Sequence, residues 1–399
     1  MRYFFTSLTL IVSLLSCSVS AQNWTQKADI SGLARWGAVG FAAGDHGYVC
    51  TGTDGTANYN DLEEYDPSSN SWTTKAPFPA TARREGAAFS INGIGYVGFG
   101  RTSPQGQYFN DLWAYDPQSN SWTAKASCPS GGLASPGVFV LNGKGYVLGG
   151  RTEAATYSNQ LWEYDPSNNS WGQKSGLPGA GRSGPIAFSV IEKGYVGSGN
   201  DNSSDQCSSD FWQWDPTTNV WTQKADIPGP ARRTGAAFVV NNIPYAGSGW
   251  NGSTYLTDMY RFDVTNNMWT AIANYGGAGA YTPIAFAIND KGYLGSGSTS
   301  SGASPQFWEY NTVLVGIATH GAAVSIVPDL VGDEIVLTGW TNTQADAYFL
   351  MDATGRRITG GTLKTNEIAV PRSMSEGVYL RELIKGNSIQ LSWRFAKAS

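Results

Sequence analysis

An all-β chain is what this sequence predicts, with six four-stranded sheets set radially about one axis and a small β-sandwich after them. Three observations predict it. Glycine and aromatic residues are abundant, at 49 glycines and 13% Phe, Trp and Tyr, and no long amphipathic run of helical period appears. Tyr48, Tyr96, Tyr146, Tyr195, Tyr245 and Tyr293 recur every 48 to 50 residues, and a period of this kind outranks local propensity. A turn motif keeps the same step. In its second copy it reads Asn110-Asp111-Leu112-Trp113-Ala114-Tyr115-Asp116-Pro117-Gln118-Ser119-Asn120-Ser121-Trp122, an alternating strand that turns at Asp-Pro and re-enters an apolar environment at Trp.

The chain opens on a segment outside this pattern. Met1-Arg2, an apolar run over 8–15 and small residues ending at Val19-Ser20-Ala21 read as a secretory signal peptide, 1–21, cleaved before Gln22. The apolar run is too short to span a bilayer. Leu14-Leu15-Ser16-Cys17 also resembles a lipobox, so lipidation at Cys17 competes with cleavage after Ala21. Cys50, Cys128 and Cys207 remain, an odd number that is no disulfide scaffold. Cys50 belongs to a predicted strand as a small buried hydrophobe. Cys128 and Cys207 fall in loops, where pairing between them is open.

Residues 22–311 hold the six repeats. Each reads as an apolar first strand, a Gly-Tyr strand, the strand opened by Leu62, Leu112, Leu161, Phe211, Met259 or Phe307, and a last strand opened by Trp. A lone sheet this apolar on both faces needs cover, and radial stacking supplies it. The Trp series is Trp24, Trp72, Trp122, Trp171, Trp221 and Trp269, so its first member precedes the first repeat, while the sixth repeat stops at Asn311 without one. Residues 24–27 are therefore expected to supply the outer strand of the last sheet, which closes the ring and removes an edge.

Gly145-Tyr146-Val147-Leu148-Gly149-Gly150 followed by Tyr164-Asp165-Pro166 and Trp171 resembles a kelch repeat. The resemblance covers about residues 23–311 and implies a six-bladed kelch β-propeller. The double glycine is kept at Gly149-Gly150 and is elsewhere Gly-x-Gly, as in Gly197-Ser198-Gly199. After a linker of small residues, 312–323, the Trp spacing stops and short strands suggest a sandwich over 324–399. There, residues 348–358 and Gly377-Val378-Tyr379-Leu380 resemble the C-terminal sorting domain of type IX secretion substrates. That resemblance implies export across an outer membrane, with the cargo released or attached at the surface. Val327-Pro328-Asp329-Leu330 stands where the family shows Tyr-Pro-Asn-Pro, and the tail is less basic.

With four strands running up and down per blade, the loops before first strands and those between second and third strands open on one face. Just before the first strands stand Arg35, Arg84, Ser135, Arg182, Arg233 and Tyr281; Arg101 and Arg151 follow the glycines of second strands. Guanidiniums converging on a channel mouth focus anions and grip carboxylates in bidentate fashion, even in a chain of net charge -5. Trp36, Trp250, Tyr108, Tyr157, Tyr255 and Tyr281 offer stacking surfaces, so an acidic glycan is the expected ligand. The plain alternative is that these arginines bond carbonyls and hold blades together. The repeated Trp is read as packing between blades, and Asp116 and Asp165 as turn residues.

Nucleic acid is excluded by the lack of a basic domain. His46 and His320 are the only histidines, so an imidazole metal centre is not expected, nor any other metal or cofactor. The oxygen-rich stretch 201–205 reads as a solvated loop. Glu85, beside Arg84, is the one carboxylate placed to act as a base, and it invites comparison with six-bladed kelch sialic-acid mutarotases. The expectation is thus a secreted or surface-exposed binding protein for a glycan or surface partner, exported through its C-terminal domain. A carbohydrate epimerase or mutarotase of acidic sugars and a non-catalytic adhesive or spacer are the alternatives.

Overall fold

The computed structural model describes residues 24–201 and 206–311, and the backbone of seven further strands between 327 and 397. The signal peptide, lipidation at Cys17, the linker 312–323, His320 and most of the 201–205 loop lie outside the described residues.

Six four-stranded antiparallel sheets follow one another in sequence. Blade 2 is representative, with strands Ala87–Ile91, Ile94–Gly98, Leu112–Asp116 and Ser121–Lys125 in that spatial order. Blade 6 is composite. Its inner strands are Ile284–Ile288, Lys291–Gly295 and Phe307–Asn311, and its outer strand is Trp24–Gln26, paired Trp24 to Tyr310 and Gln26 to Trp308. The expected closure is made, and Lys27 joins the seam through a 3.4 Å ion pair with Glu309.

The Gly-Tyr signature has a packing cause. The ring of Phe41 in blade 1 lies where a Cβ on Gly95 of blade 2 would sit, and Phe89 bears on Gly145 in the same way. Glycine here admits the neighbouring blade's phenylalanine. That ring in turn stacks on the tyrosine of its own second strand, as Phe89 does on Tyr96 at 5.3 Å. The core is correspondingly a series of clusters, each shared by adjacent blades.

The Asp-Pro hairpin ends in a latch. Asn120 takes a left-handed conformation, φ 52° in Asn70 and 47° here, which Asn tolerates better than most residues. Its Oδ1 accepts from the Tyr115 hydroxyl at 2.8 Å and from the Ala76 N–H at 2.9 Å, while the Trp122 indole donates to the Ala76 carbonyl at 2.9 Å. Ala76 leaves the last strand of the preceding blade. Both its backbone groups are thus satisfied by the next blade, and Trp72, Trp171, Trp221 and Trp269 repeat the contact. Trp24 makes it across the closure, donating to Ala273 at 3.0 Å.

Cys50 and Cys128 are buried thiols and Cys207 is partly exposed; none of the three forms a disulfide, so the pairing left open for Cys128 and Cys207 is not made. Burial pushes the Cys128 thiol up to about 11. Among the described residues no helix is long and apolar enough to cross a membrane.

After residue 311 the strands Val327–Val331, Glu334–Thr338 and Glu367–Ala369 form one antiparallel sheet. Arg357–Thr362, Ala347–Met351, Gly377–Lys385 and Ser388–Lys397 form another, in that order. The strands at 357–362 and 367–369 were not expected from the sequence, because the first is rich in Gly and Thr and the second has only three residues. Side chains here, and so the packing of a sandwich, lie outside the described residues.

Candidate functional site

Three consecutive residues lead into each first strand, and they point to three different places. The first of them is Arg35, Arg83, Leu133, Arg182, Arg232 or Ala280. In the four blades with arginine, the guanidinium forks onto an aspartate just before the third strand of the same blade or, in blade 5, within it. Arg35 grips Asp61, Arg83 grips Asp111, Arg182 grips Asp210 and Arg232 grips Asp258. Nη1 also donates to a carbonyl at the end of the second strand, as Arg182 does to Ser198 at 3.1 Å. Arg35 and Arg182 were expected at the channel mouth. They are instead 1% and 4% exposed and hold these struts through their terminal nitrogens, because they stand one residue earlier in the repeat than Arg84 and Arg233.

The second position is Trp36, Arg84, Ala134, Ser183, Arg233 or Tyr281. Each bridges in backbone to the residue after the second-strand glycines, respectively Thr53, Arg101, Arg151, Asn200, Trp250 and Ser298. These twelve residues form two rims about the axis. The third position is Gly37, Glu85, Ser135, Gly184, Thr234 or Thr282, and all six have positive φ. The N–H of Glu85 donates to the Gly37 carbonyl at 2.6 Å, Ser135 to Glu85 at 2.7 Å, Gly184 to Ser135 at 2.8 Å and Thr234 to Gly184 at 2.7 Å. Gly37 donates in turn to the Thr282 hydroxyl at 2.8 Å. A collar of backbone bonds therefore runs round the axis from blade 1 to blade 5, and the Thr282 hydroxyl ties blade 6 to blade 1.

Above this collar lies a polar cavity of about 160 Å³, lined by Glu85, Arg101, Ala134, Ser135, Arg151, Tyr157, Ser183, Asn200, Arg233, Thr234 and Tyr281. It brings together Arg101, Arg151, Arg233, Tyr157, Tyr281 and Glu85 of the expected set. Arg84, Trp36 and Trp250 flank it. Arg84 stacks on Trp36 and Arg233 on Trp250, each with its guanidinium carbon 4.6 Å from the ring centroid. Tyr281 stands between the two indoles at 6.2 Å from each. Tyr255 pairs with Trp250 in a long hairpin and does not line the cavity.

Electrostatically the cavity divides. Arg101 donates through Nε to Glu85 Oε2 at 2.5 Å and through Nη1 to the Tyr108 hydroxyl at 3.0 Å. Burial alone lowers the basicity of Arg101, but Glu85 and Tyr108 outweigh it and hold the group above its ordinary value. Arg84 has no such partner. Burial pulls its guanidinium below the ordinary value, and the Arg101 charge adds to this against Glu85. Burial also pushes the Tyr281 phenol well up, with Glu85 adding, so it stays a hydrogen-bond donor. The Nε atoms of Arg84 and Arg151 are buried without a hydrogen-bond partner, a state that costs about 1–3 kcal/mol per group unless a ligand relieves it.

The residues that sequence reasoning missed are Ala134, Ser183, Asn200 and Thr234 on the cavity wall. A signal for the strut arginines did exist. Arginine precedes the aspartate by 26 or 28 residues in four blades, whereas Leu133 pairs in position with Gln160, and Ala280 with Gln306.

Among the described residues no group of three His, Cys, Asp or Glu side chains is placed to hold a metal. His46 lies on the opposite face, in a cleft of about 590 Å³ at the closure seam with Asp45, Asp66 and Asp290.

Residues 128–297 match the family model described as the KLHDC2/KLHL20/DRC7 Kelch-repeats domain. No curated protein matches the chain. Among solved structures the chain is similar to YjhT, at 21% identity and a TM-score of 0.60 over 70% of this chain and 95% of that one. The repeats, the closed ring and these matches agree: the chain carries a kelch-repeat domain folded as a six-bladed β-propeller.

Proposed function

We propose that the propeller is an exported binding module that takes the anionic group of a glycan into its axial cavity. The observation that carries this reading is the gathering of Arg101, Arg151 and Arg233 in the wall of one polar cavity, with Arg84 beside it and the Nε atoms of Arg84 and Arg151 buried without a hydrogen-bond partner. Arginine clefts recognise carboxylates and phosphates, and a low-dielectric wall strengthens that recognition. The volume is below the roughly 300–1,000 Å³ of ordinary ligand clefts. A terminal charged residue of a larger chain fits it better than an extended segment. Titration calorimetry of the full chain against matched neutral and acidic saccharides tests this. Saturable heat with acidic sugars alone, lost in Arg151→Gln, supports the reading, and no binding to the folded protein overturns it.

A second reading is favoured by one feature. Glu85 lines the cavity in a strained left-handed conformation, φ 59°, and is aligned by Arg101. A carbohydrate epimerase or mutarotase would use its carboxylate as base. Glu85→Gln separates the two readings: a binder keeps affinity within a few-fold, whereas an enzyme loses turnover while still binding.

Export belongs to the same proposal, with residues 1–21 as the leader and the C-terminal region as the sorting signal. Removal of residues 324–399 is expected to leave the propeller on the inner side of the outer membrane, as fractionation would show.

A further inference from the structure

The donors of the axial cavity do not converge from one side, as a grip on a planar carboxylate would require. Arg84 flanks the cavity from blade 2, while its wall takes Ser135 and Arg151 from blade 3, Ser183 from blade 4, Arg233 from blade 5 and Tyr281 from blade 6. The hydroxyls of Ser135, Ser183 and Tyr281 make no side-chain hydrogen bond within the described residues, and they face the same space as Arg151. The Arg101 charge is already matched by Glu85, so it does not ask for a ligand charge. Beyond that pair, Arg151 and Arg233 line the cavity and Arg84 flanks it, and the Nε atoms of Arg84 and Arg151 are buried without a hydrogen-bond partner. Thr234 adds no donor, since its hydroxyl proton goes to the Arg233 carbonyl at 2.8 Å.

We infer that the cavity takes a phosphomonoester, the terminal phosphate of a phosphorylated sugar, in preference to a sugar carboxylate. Resting on the glycan-binding reading above, this names the acid. Arg151 and Arg233 in the wall, with Arg84 beside them, present more than one positive charge beyond the paired Arg101 and Glu85 and suit a group carrying about 1.5 to 2 negative charges near neutrality. Donors spread round the axis match the three terminal oxygens of a tetrahedral group, while a carboxylate offers two oxygens in one plane. A sulfate ester has the shape but only a single charge. Ala134 and Ser183 make the room. Where blades 1 and 6 place Trp36 and Tyr281 on the rim, blades 3 and 4 carry these small residues, and the cavity lies on their side.

The test is calorimetric titration of the full chain with glucose 6-phosphate, glucose 6-sulfate and glucuronate at several pH values. The phosphate ester is expected to bind about tenfold more tightly than either monoanion. Its affinity should rise about tenfold between about pH 5 and 7, as the second phosphate proton leaves near pH 6. The groups facing the ligand are Glu85, Arg84, Arg101, Arg151, Arg233, Tyr157 and Tyr281. The sulfate ester and glucuronate keep one charge over this range, so they are the controls for pH effects that arise in the protein. Arg84→Gln and Arg151→Gln should each remove the preference, and Ser183→Trp should abolish binding by filling the space. The pH profile of the unaltered protein tests the inference even where a variant fails to fold. Glucuronate binding as tightly as the phosphate, or a flat pH profile for the phosphate, overturns this inference and leaves the glycan reading standing. Absence of binding by all three to folded protein overturns both.

Discussion

A single position in the repeat decides whether an arginine is architecture or site. Arg182 and Arg151 were both expected at the channel mouth, but Arg182 is forked onto Asp210 while Arg151 lines the cavity. Opposite outcomes are therefore expected from the same chemical change. Arg182→Gln strands Asp210 and should lower unfolding stability by roughly 3 kcal/mol, measurable by urea denaturation. Arg151→Gln should leave the melting temperature within a degree or two and affect only ligand binding. The strut also has a pH signature. Burial raises the Asp210 carboxyl, but Arg182, Ser208 and Trp212 outweigh it and hold it at about 2, below the usual carboxylate range. A carboxylate depressed by folding contributes its full stability above the unfolded value, near 4, and loses it as pH falls towards 2. The acid limb of the stability curve should accordingly flatten in Arg182→Gln. Sequence reasoning grouped Arg35 and Arg182 with Arg84 and Arg233 because all stand just before a first strand. Only the side-chain partner reveals the difference, and Arg83 and Arg232, the strut residues beside Arg84 and Arg233, went unread for the same reason.

Whole elements were far more legible, because their residues answer to packing that every blade repeats. Trp122, Tyr115 and Leu112 recur at fixed spacing, since each blade meets its neighbour through the same contacts. What the spacing could not show is the direction of the latch, in which Asn120 and Trp122 take both backbone groups of Ala76 from the blade before. Trp122→Phe removes one of these bonds and keeps most of the ring, so a loss of about 1 kcal/mol is expected. Asn120→Ala removes two accepted bonds and the residue suited to φ 47°, and should cost about 2–3 kcal/mol. Gly95→Ala acts from the other side of the same interface. Its methyl would overlap the ring of Phe41, which is buried and stacked on Tyr48. Loss of stability beyond that of Trp122→Phe is the expected result, and Phe41→Leu in the same chain should recover part of it. The cavity wall, in contrast, was unreadable in Ala134 and Ser183. They matter through the volume they leave empty, and an absent side chain leaves no motif.

At the scale of the whole molecule the ring is held by its closure. The first described strand, Trp24–Gln26, pairs with Phe307–Asn311 across nearly the full propeller sequence. Trp24 packs against Tyr275, Tyr310 and Phe238, and its indole reaches Ala273, so one short strand joins blade 6 to blade 5. Without it the strand Phe307–Asn311 would present an unpaired edge with Trp308 and Tyr310 uncovered, which is a template for association between copies. The collar at the axis depends on closure as well, through the bond from Gly37 of blade 1 to Thr282 of blade 6. A chain lacking residues 22–27 should then melt at a lower temperature, lose the steepness of a cooperative transition and form dimers or larger species by light scattering. Trp24→Ala, which keeps the strand but not its anchor, should fall between that chain and the unaltered one. If the same residues are moved to follow Asn311 through a short turn, the edge is covered from within its own blade, and stability and monomeric state should return. Recovery in that permuted chain places the loss on strand pairing, where ring closure requires it. Failure to recover, with the transplanted strand intact, would mean that covalent continuity from residue 24 into blade 1 holds the seam, since a permuted chain supplies every hydrogen bond of the closure except that tether.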